Sequence, residues 1–301
     1  MPPSGEIVGF IGLGNMGRPM GASLARSGFE VVGYDADSAA AAAFAGETGC
    51  RTAPTLAALA AAASVAVTML PTGAIVRQVL LEEEGGALAH GLGVGNAGGG
   101  LVIDMSSSEP VGTRALGAAL AERGVGLVDA PVSGGVEKAR DGTLAIMIGA
   151  DDAPAAERAE PVLRAMGDRL FRAGPLGAGH AAKALNNYIA AAAFTAASEA
   201  LIVGDAFGLE RETLLTIVNN STGRNFNSEV PMKQHVLPRT FATGFKLGLM
   251  AKDVAIAADL AEAVGADAPL AVTMKARWAE ANAALGPGAD FTRAITHWEP
   301  K

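Results

Sequence analysis

Cysteine is nearly absent: Cys50 is the only one in 301 residues, so no internal disulfide can form and a Cys-rich zinc site is excluded. Aromatic residues make up only 5% and charged residues 18%, yet half the chain is apolar, which supplies real cores and excludes disorder as the main state. An excess of positive charge is missing too. The 23 Lys+Arg against 31 Asp+Glu leave a formal charge of -8, so no nucleic acid or anionic membrane partner is expected, and a phosphate-bearing ligand needs a local site. The four histidines, His90, His180, His235 and His297, lack metal-ligand spacing, and no metal is expected. The uncharged stretch between Arg51 and Arg77 is Ala-rich and holds Pro54 and Pro71, so it reads as a buried helix followed by a strand and not as a bilayer span. The first Lys or Arg is Arg18; without the basic flank of a signal peptide, a cytoplasmic protein is expected.

At roughly 150 residues per domain, the length implies two domains. In the first half, β-branched runs at Ile7–Ile11, Glu30–Tyr34, Val65–Met69, Leu101–Asp104, Gly126–Asp129 and Leu144–Ile148 alternate with helical stretches at Met16–Ser27, Ala36–Ala45, Thr55–Ala62, Ile75–Leu81 and Glu109–Arg123. That alternation predicts an α/β doubly wound parallel sheet with helices on both faces. Strand signals fade after Leu170. Ala178–Phe207 reads as one helix, about 45 Å long at ~1.5 Å per residue, and helices near Arg211–Asn219, Leu247–Val264 and Pro269–Ala284 make the second half all-α. Gly174-Pro175-Leu176-Gly177 is the expected break, giving a nucleotide-binding domain over 1–173 and a helical substrate and oligomerisation domain over 174–301, with the long helix between them. The Gly-rich patch His90–Gly100 precedes a strand, whereas phosphate loops follow one, so it reads as a surface turn.

The strand Ile7–Ile11 runs into Gly12-Leu13-Gly14-Asn15-Met16-Gly17 and then a helix. Gly12 permits the tight turn, Gly14 lets backbone approach a pyrophosphate, and Gly17 allows close helix–strand packing, the signature of a Rossmann-type dinucleotide site. The next strand ends at Asp35, whose carboxylate suits the two ribose hydroxyls; Ala36, Asp37 and Ser38 offer no arginine for a 2′-phosphate, so NAD is favoured over NADP. An Asp at a strand end also suits a cap for the following helix, and that alternative stays open. Lys183 and Asn187, four apart on a helix, share one face. In Ser133-Gly134-Gly135, two glycines let backbone amides converge on an anion such as a carboxylate.

Together with Gly9–Gly17, the segments Thr68-Met69-Leu70-Pro71, Asp104-Met105-Ser106-Ser107, Asp129–Gly135, Gly177–Asn187 and Lys252-Asp253 resemble the β-hydroxyacid dehydrogenase family, nearest its 3-hydroxyisobutyrate dehydrogenase branch. The resemblance implies hydride transfer between NAD and a small 3-hydroxy acid, giving the semialdehyde, with Lys183 as general acid/base. It further implies that Asn187 bonds the lysine or the substrate oxygen and that Met69, Leu70 and Pro71 flank the cofactor. Ser107 would lie near the nicotinamide, and Lys252, with Asp253 beside it, near both nicotinamide and substrate. Selectivity is expected from Asn219–Phe226, where some relatives carry tryptophan in place of Phe226. Arg224 either clamps a second anionic group or is a solvated loop residue, and His180 either touches cofactor or lies at a helix cap or the surface. The stripe Ile189, Ala193, Ala196 and Ala200 suits a core or a subunit interface, and the family implies a homodimer or homotetramer. Within the same family, a tartronate or succinic semialdehyde reductase and a serine-type dehydrogenase are the alternatives. A non-catalytic nucleotide-binding scaffold is disfavoured because such relatives lack the lysine.

Overall fold

The computed structural model describes residues 6–95 and 98–300; Asn96 and Ala97, within the Gly-rich patch, lie outside the described residues. The chain forms two compact units, Met1–Lys183 and Ala184–Lys301.

The first unit is built on β1 (Ile7–Ile11), β2 (Glu30–Tyr34), β3 (Arg51–Thr52), β4 (Val65–Thr68), β5 (Gly100–Asp104), β6 (Val125–Asp129), β7 (Val132–Ser133), β8 (Ala145–Gly149) and β9 (Arg169–Gly174). Their order is β3-β2-β1-β4-β5-β6-β8-β7, with β9 on β8. Strands β3 to β6 are parallel, β8 runs antiparallel to β6 and β7, and β9 returns parallel to β8. Alternation sorts the side chains: Val8, Phe10, Val67, Leu101 and Ile103 enter one core, and Ile11, Ala66 and Val102 the opposite one. Helix Gly17–Arg26 covers the first through Met20 and Leu24, and helix Leu56–Ala62 the second through Leu56 and Leu59. The expected two-faced sheet is therefore present. The strand order reverses at β1 and β4, so a ligand crevice belongs at their carboxyl ends.

All six expected strands form, within a residue or so at their ends. Sequence reading missed β3 and β7, of two residues each, and β9, whose residues are mostly exposed. It also missed helices Gly135–Asp141 and Ala153–Arg164, although the second opens on an Asp152 cap with proline in its first turn. Residues 51–77 form β3, helix Leu56–Ala62, the buried β4 and the start of helix Gly73–Leu81, each far too short for a bilayer.

The second unit packs helices Arg211–Asn219, Leu247–Ala263, Pro269–Leu285 and Ala294–Trp298 with its share of the long helix Ala178–Phe207. Its core centres on the fully buried Trp278, whose ring lies 6.0 Å from Phe194, 6.4 Å from Phe291 and 5.5 Å from Trp298. The indole N–H donates to Thr195 Oγ1 at 3.1 Å, so this ring is buried without an unmet donor. A π-helical segment, Ser228–Val236, was not anticipated. Ala178–Phe207 is long and apolar enough to cross a bilayer by length and composition, while its Ala191, Phe194 and Leu201 belong to this core.

Candidate active site

At the end of β1 the chain turns at Gly12, with φ +94°. A Cβ there would lie 2.4 Å from the Met69 carbonyl oxygen, and one on Gly17 only 1.7 Å from that of Gly12, so both positions admit glycine alone. A Cβ on Gly14 would meet nothing within 4 Å, which leaves the space a diphosphate needs. Met16 at the N-cap of helix Gly17–Arg26 makes no side-chain capping bond, so that cap supplies no partner for the first-turn amides. The Leu13 side chain is core, and only its backbone serves the turn: its amide donates to Asp35 Oδ2 at 2.7 Å. The Asp37 amide donates to Asp35 Oδ1 at 2.8 Å, and it is Asp37, not Asp35, that caps the next helix by accepting from Ala39 at 2.9 Å. The capping alternative for Asp35 is thereby removed. Asn15 is exposed on the turn. These residues fit a dinucleotide. Beside them, burial first, and then the carboxylates of Glu83, Glu84 and Asp35, raise the Tyr34 phenol above its usual range.

Behind the turn lies a sealed polar network that sequence reading missed. Asp104, at the end of β5, accepts the Thr68 hydroxyl (2.9 Å) and the Ser106 amide (3.0 Å) on Oδ1, and the Ser108 hydroxyl (2.8 Å) on Oδ2. Ser106 Oγ in turn accepts the Leu70 amide at 2.9 Å, which ties the Met69-Leu70-Pro71 segment to β5. The predicted Ser107 is half-buried between the buried Ser106 and Ser108. Period-two alternation past the strand end was the signal that separates these three serines.

Asp129 ends β6 and is fully buried; its carboxylate accepts the Gly177 and His180 amides, each at 2.7 Å, at the start of the long helix. Gly179 is required there, because a Cβ would stand 2.3 Å from the Met147 carbonyl oxygen and 2.8 Å from Asp129 Oδ2. His180 is buried, not at the surface: its Nδ1 lies 2.8 Å from Thr113 Oγ1. Ser133 is half-buried in β7, and Gly134 and Gly135 follow it with φ +141° and +71°, a Cβ on Gly135 facing open space.

Lys183 is half-buried one turn before Asn187 on the same helix. In the second unit, Asn187 Nδ2 donates to Asp253 Oδ2 at 2.6 Å, and Lys252 Nζ pairs with Asp253 Oδ1 at 3.0 Å. Asp253, buried between the two, therefore fixes both; Lys252-Asp253 had pointed to the neighbour but not to its bond with Asn187. Phe226 is 68% exposed, and the exposed loop residue Arg224 pairs at 3.3 Å with Glu229 in the first turn of Ser228–Val236. Among the described residues no three His, Cys, Asp or Glu side chains gather as a metal site.

Residues 7–174 match the family model described as the NAD binding domain of 6-phosphogluconate dehydrogenase, and residues 177–298 that described as NAD-binding of NADP-dependent 3-hydroxyisobutyrate dehydrogenase. The chain is 35% identical to a 2-(hydroxymethyl)glutarate dehydrogenase of Eubacterium barkeri, covering 97% of this chain and 94% of that one. It is 37% identical to an NAD-dependent L-serine dehydrogenase of Pseudomonas aeruginosa, over 87% and 88%. A solved structure of Mycobacterium tuberculosis 3-hydroxyisobutyrate dehydrogenase with L-serine superposes with a TM-score of 0.86 at 33% identity, covering 98% of this chain and 99% of that one.

Proposed function

We propose, for this chain, which belongs to the β-hydroxyacid dehydrogenase family of NAD(P)-dependent oxidoreductases acting on CH–OH groups, the oxidation of a 3-hydroxy acid of the form HOCH2–CH(R)–COO⁻ to its semialdehyde. The relatives' named substrates share that skeleton, with R a methyl in 3-hydroxyisobutyrate, an ammonium in L-serine and a carboxyethyl in 2-(hydroxymethyl)glutarate. The observation that carries the reading is Lys183, half-buried on one helix face between the buried His180 and Asn187.

Bound NAD supplies the hydride acceptor. Lys183 as free amine takes the hydroxyl proton while the hydride leaves carbon 3, and as ammonium it returns that proton in the reverse direction. Asn187, oriented by Asp253, holds the amine or the substrate oxygen in line, and Lys252 adds positive charge beside them. The Ser133 hydroxyl and the Gly134 and Gly135 amides hold the substrate carboxylate. Met69, Leu70 and Pro71 would flank the cofactor, Ser107 would lie near its nicotinamide end, and Phe226 contributes to selection of R. Asp35, with Glu83 and Glu84 nearby, favours NAD over NADP by repelling a 2′-phosphate. L-Serine is the second reading for the substrate, favoured by the NAD-dependent relative. We assign the stripe Ile189, Ala193, Ala196 and Ala200 to a subunit contact of a homodimer or homotetramer; Ile189 is 65% exposed in the single chain, and light scattering reads the state.

The test is a screen of NADH formation at 340 nm with NAD and NADP against 3-hydroxyisobutyrate, L-serine, 2-(hydroxymethyl)glutarate and simple 3-hydroxy acids, with the semialdehydes run in reverse. Turnover on one or more with NAD is expected. A clear NADP preference overturns the role of Asp35, and no turnover on any of them overturns the proposed reaction.

A further inference from the structure

His180 is a buried ring that the reaction above does not use, and its two nitrogens differ. Nδ1 lies 2.8 Å from Thr113 Oγ1, within hydrogen-bonding distance. Nε2 is sealed from solvent with no hydrogen-bond partner among the described residues, and it faces Asp104 Oδ2 at 3.7 Å. A buried polar atom left short of a bond beside a carboxylate calls for a reason. The surroundings supply a chemical one. The Thr113 hydroxyl has two acceptors in reach, His180 Nδ1 at 2.8 Å and the Glu109 carbonyl at 3.1 Å, and that carbonyl already accepts the Thr113 amide at 2.9 Å; with the hydroxyl proton in the shorter contact, the ring carries its own proton on Nε2, toward Asp104. A movement of about 1 Å closes that bond, and catalytic hydrogen bonds commonly stand long without ligand and tighten in the working complex.

The two ends of this contact bear on the reaction. Asp104 fixes Ser106, and Ser106 fixes Leu70, so its carboxylate anchors the strand-end segments assigned to the cofactor. On the other side, His180 lies one turn before Lys183, with its amide clamped by Asp129 at 2.7 Å. We propose that His180 is a positioning residue for Lys183: its Nε2–H closes on Asp104 Oδ2 in the working complex and ties the helical turn bearing the lysine to the segments that hold the cofactor. This rests on the assignment of Lys183 as acid/base. It moves no proton in the reaction and touches no substrate; its effect is on where the amine stands, and a misplacement of about 1 Å can cost on the order of 100-fold in rate.

The test separates the two nitrogens. His180→Asn keeps a polar group near the Nδ1 position facing Thr113 but removes the arm to Asp104, whereas His180→Gln sets an amide near the Nε2 position. We expect His180→Asn to lower kcat by about tenfold or more, with the Kd for NAD and the KM for substrate within about threefold and the thermal midpoint little changed. His180→Gln should recover most of that kcat. Equal kcat loss in both variants, or a loss that follows the thermal midpoint, marks a merely structural ring and overturns the proposal, as does kcat within about twofold of the parent in His180→Asn. Should neither variant fold, Thr113→Val frees the ring to turn while leaving the Asp129 clamp intact; it must lower kcat by about threefold or more, and an unchanged kcat overturns the proposal. Lys183→Ala is run beside them. An active Lys183→Ala sinks the underlying reading, whereas an inactive one next to a normal His180→Asn sinks this inference alone.

Discussion

Asp129 and Asp253 each hold the long helix on either side of Lys183, but Asp129 gives both oxygens to backbone amides, at Gly177 and His180, whereas Asp253 gives its oxygens to the side chains of Asn187 and Lys252. The first grip is sealed and acts like a helix cap, stabilising the amides that a helix start leaves open. The second keeps contact with solvent through Lys252, which is 18% exposed. Backbone bonds decide where a helix begins; side-chain bonds decide how functional groups point. With the proposed reaction, the contrast predicts that stability rests chiefly on Asp129 and catalytic geometry chiefly on Asp253.

Lys183, between the two grips, should show the largest effect: Lys183→Ala should lower kcat by roughly 1,000-fold, as expected for loss of a general acid/base, with the Kd for NAD unchanged by fluorescence titration. Asp129→Ala should lower the unfolding free energy by about 3 kcal/mol in urea denaturation, because two buried amides lose their acceptor. Asp253→Asn should do the reverse, costing about tenfold in kcat but under about 1 kcal/mol in stability; a large stability loss there, or a purely kinetic effect at Asp129, would break the comparison. Away from both grips, Asp35→Asn should narrow the NAD over NADP ratio in kcat/KM by about tenfold.

The smallest effect belongs to Glu299. Burial raises its pKa, but hydrogen bonds from Arg211 and Arg239 outweigh that and hold it below the ordinary carboxylate range. A carboxyl depressed in the folded state adds stability above its unfolded pKa, and that stability is lost as pH falls through the folded value. Glu299→Gln should therefore cost about 1 kcal/mol or less in urea at pH 7 and nothing near pH 2.

Much of the first unit was readable because its signals are local. Strands β1, β2 and β4 to β6 are apolar runs buried on both faces, and the Gly12–Gly17 turn with Asp35 needs only chain-adjacent geometry. Strands β3 and β7 hold two residues each, and β9, carrying Arg169 and Arg172, is mostly exposed, so none imprints an apolar pattern. The spacing of Lys183 and Asn187 was legible, since helical period alone puts them on one face. The burial of His180 was not: helix period gives a direction around the axis but not what covers it, and Thr113, Asp104 and Asp129 lie 67, 76 and 51 residues away in sequence. The bond from Asn187 to Asp253, 66 residues apart, was hidden for the same reason.

The most direct measurement is NADH formation by Lys183→Ala with the best substrate of the panel, followed at 340 nm as methylamine is added. A primary amine supplied from solution should take over the lysine's proton, so the variant should be nearly inactive alone and gain rate in proportion to free amine. Near-normal turnover of Lys183→Ala, indifferent to the amine, would contradict the account.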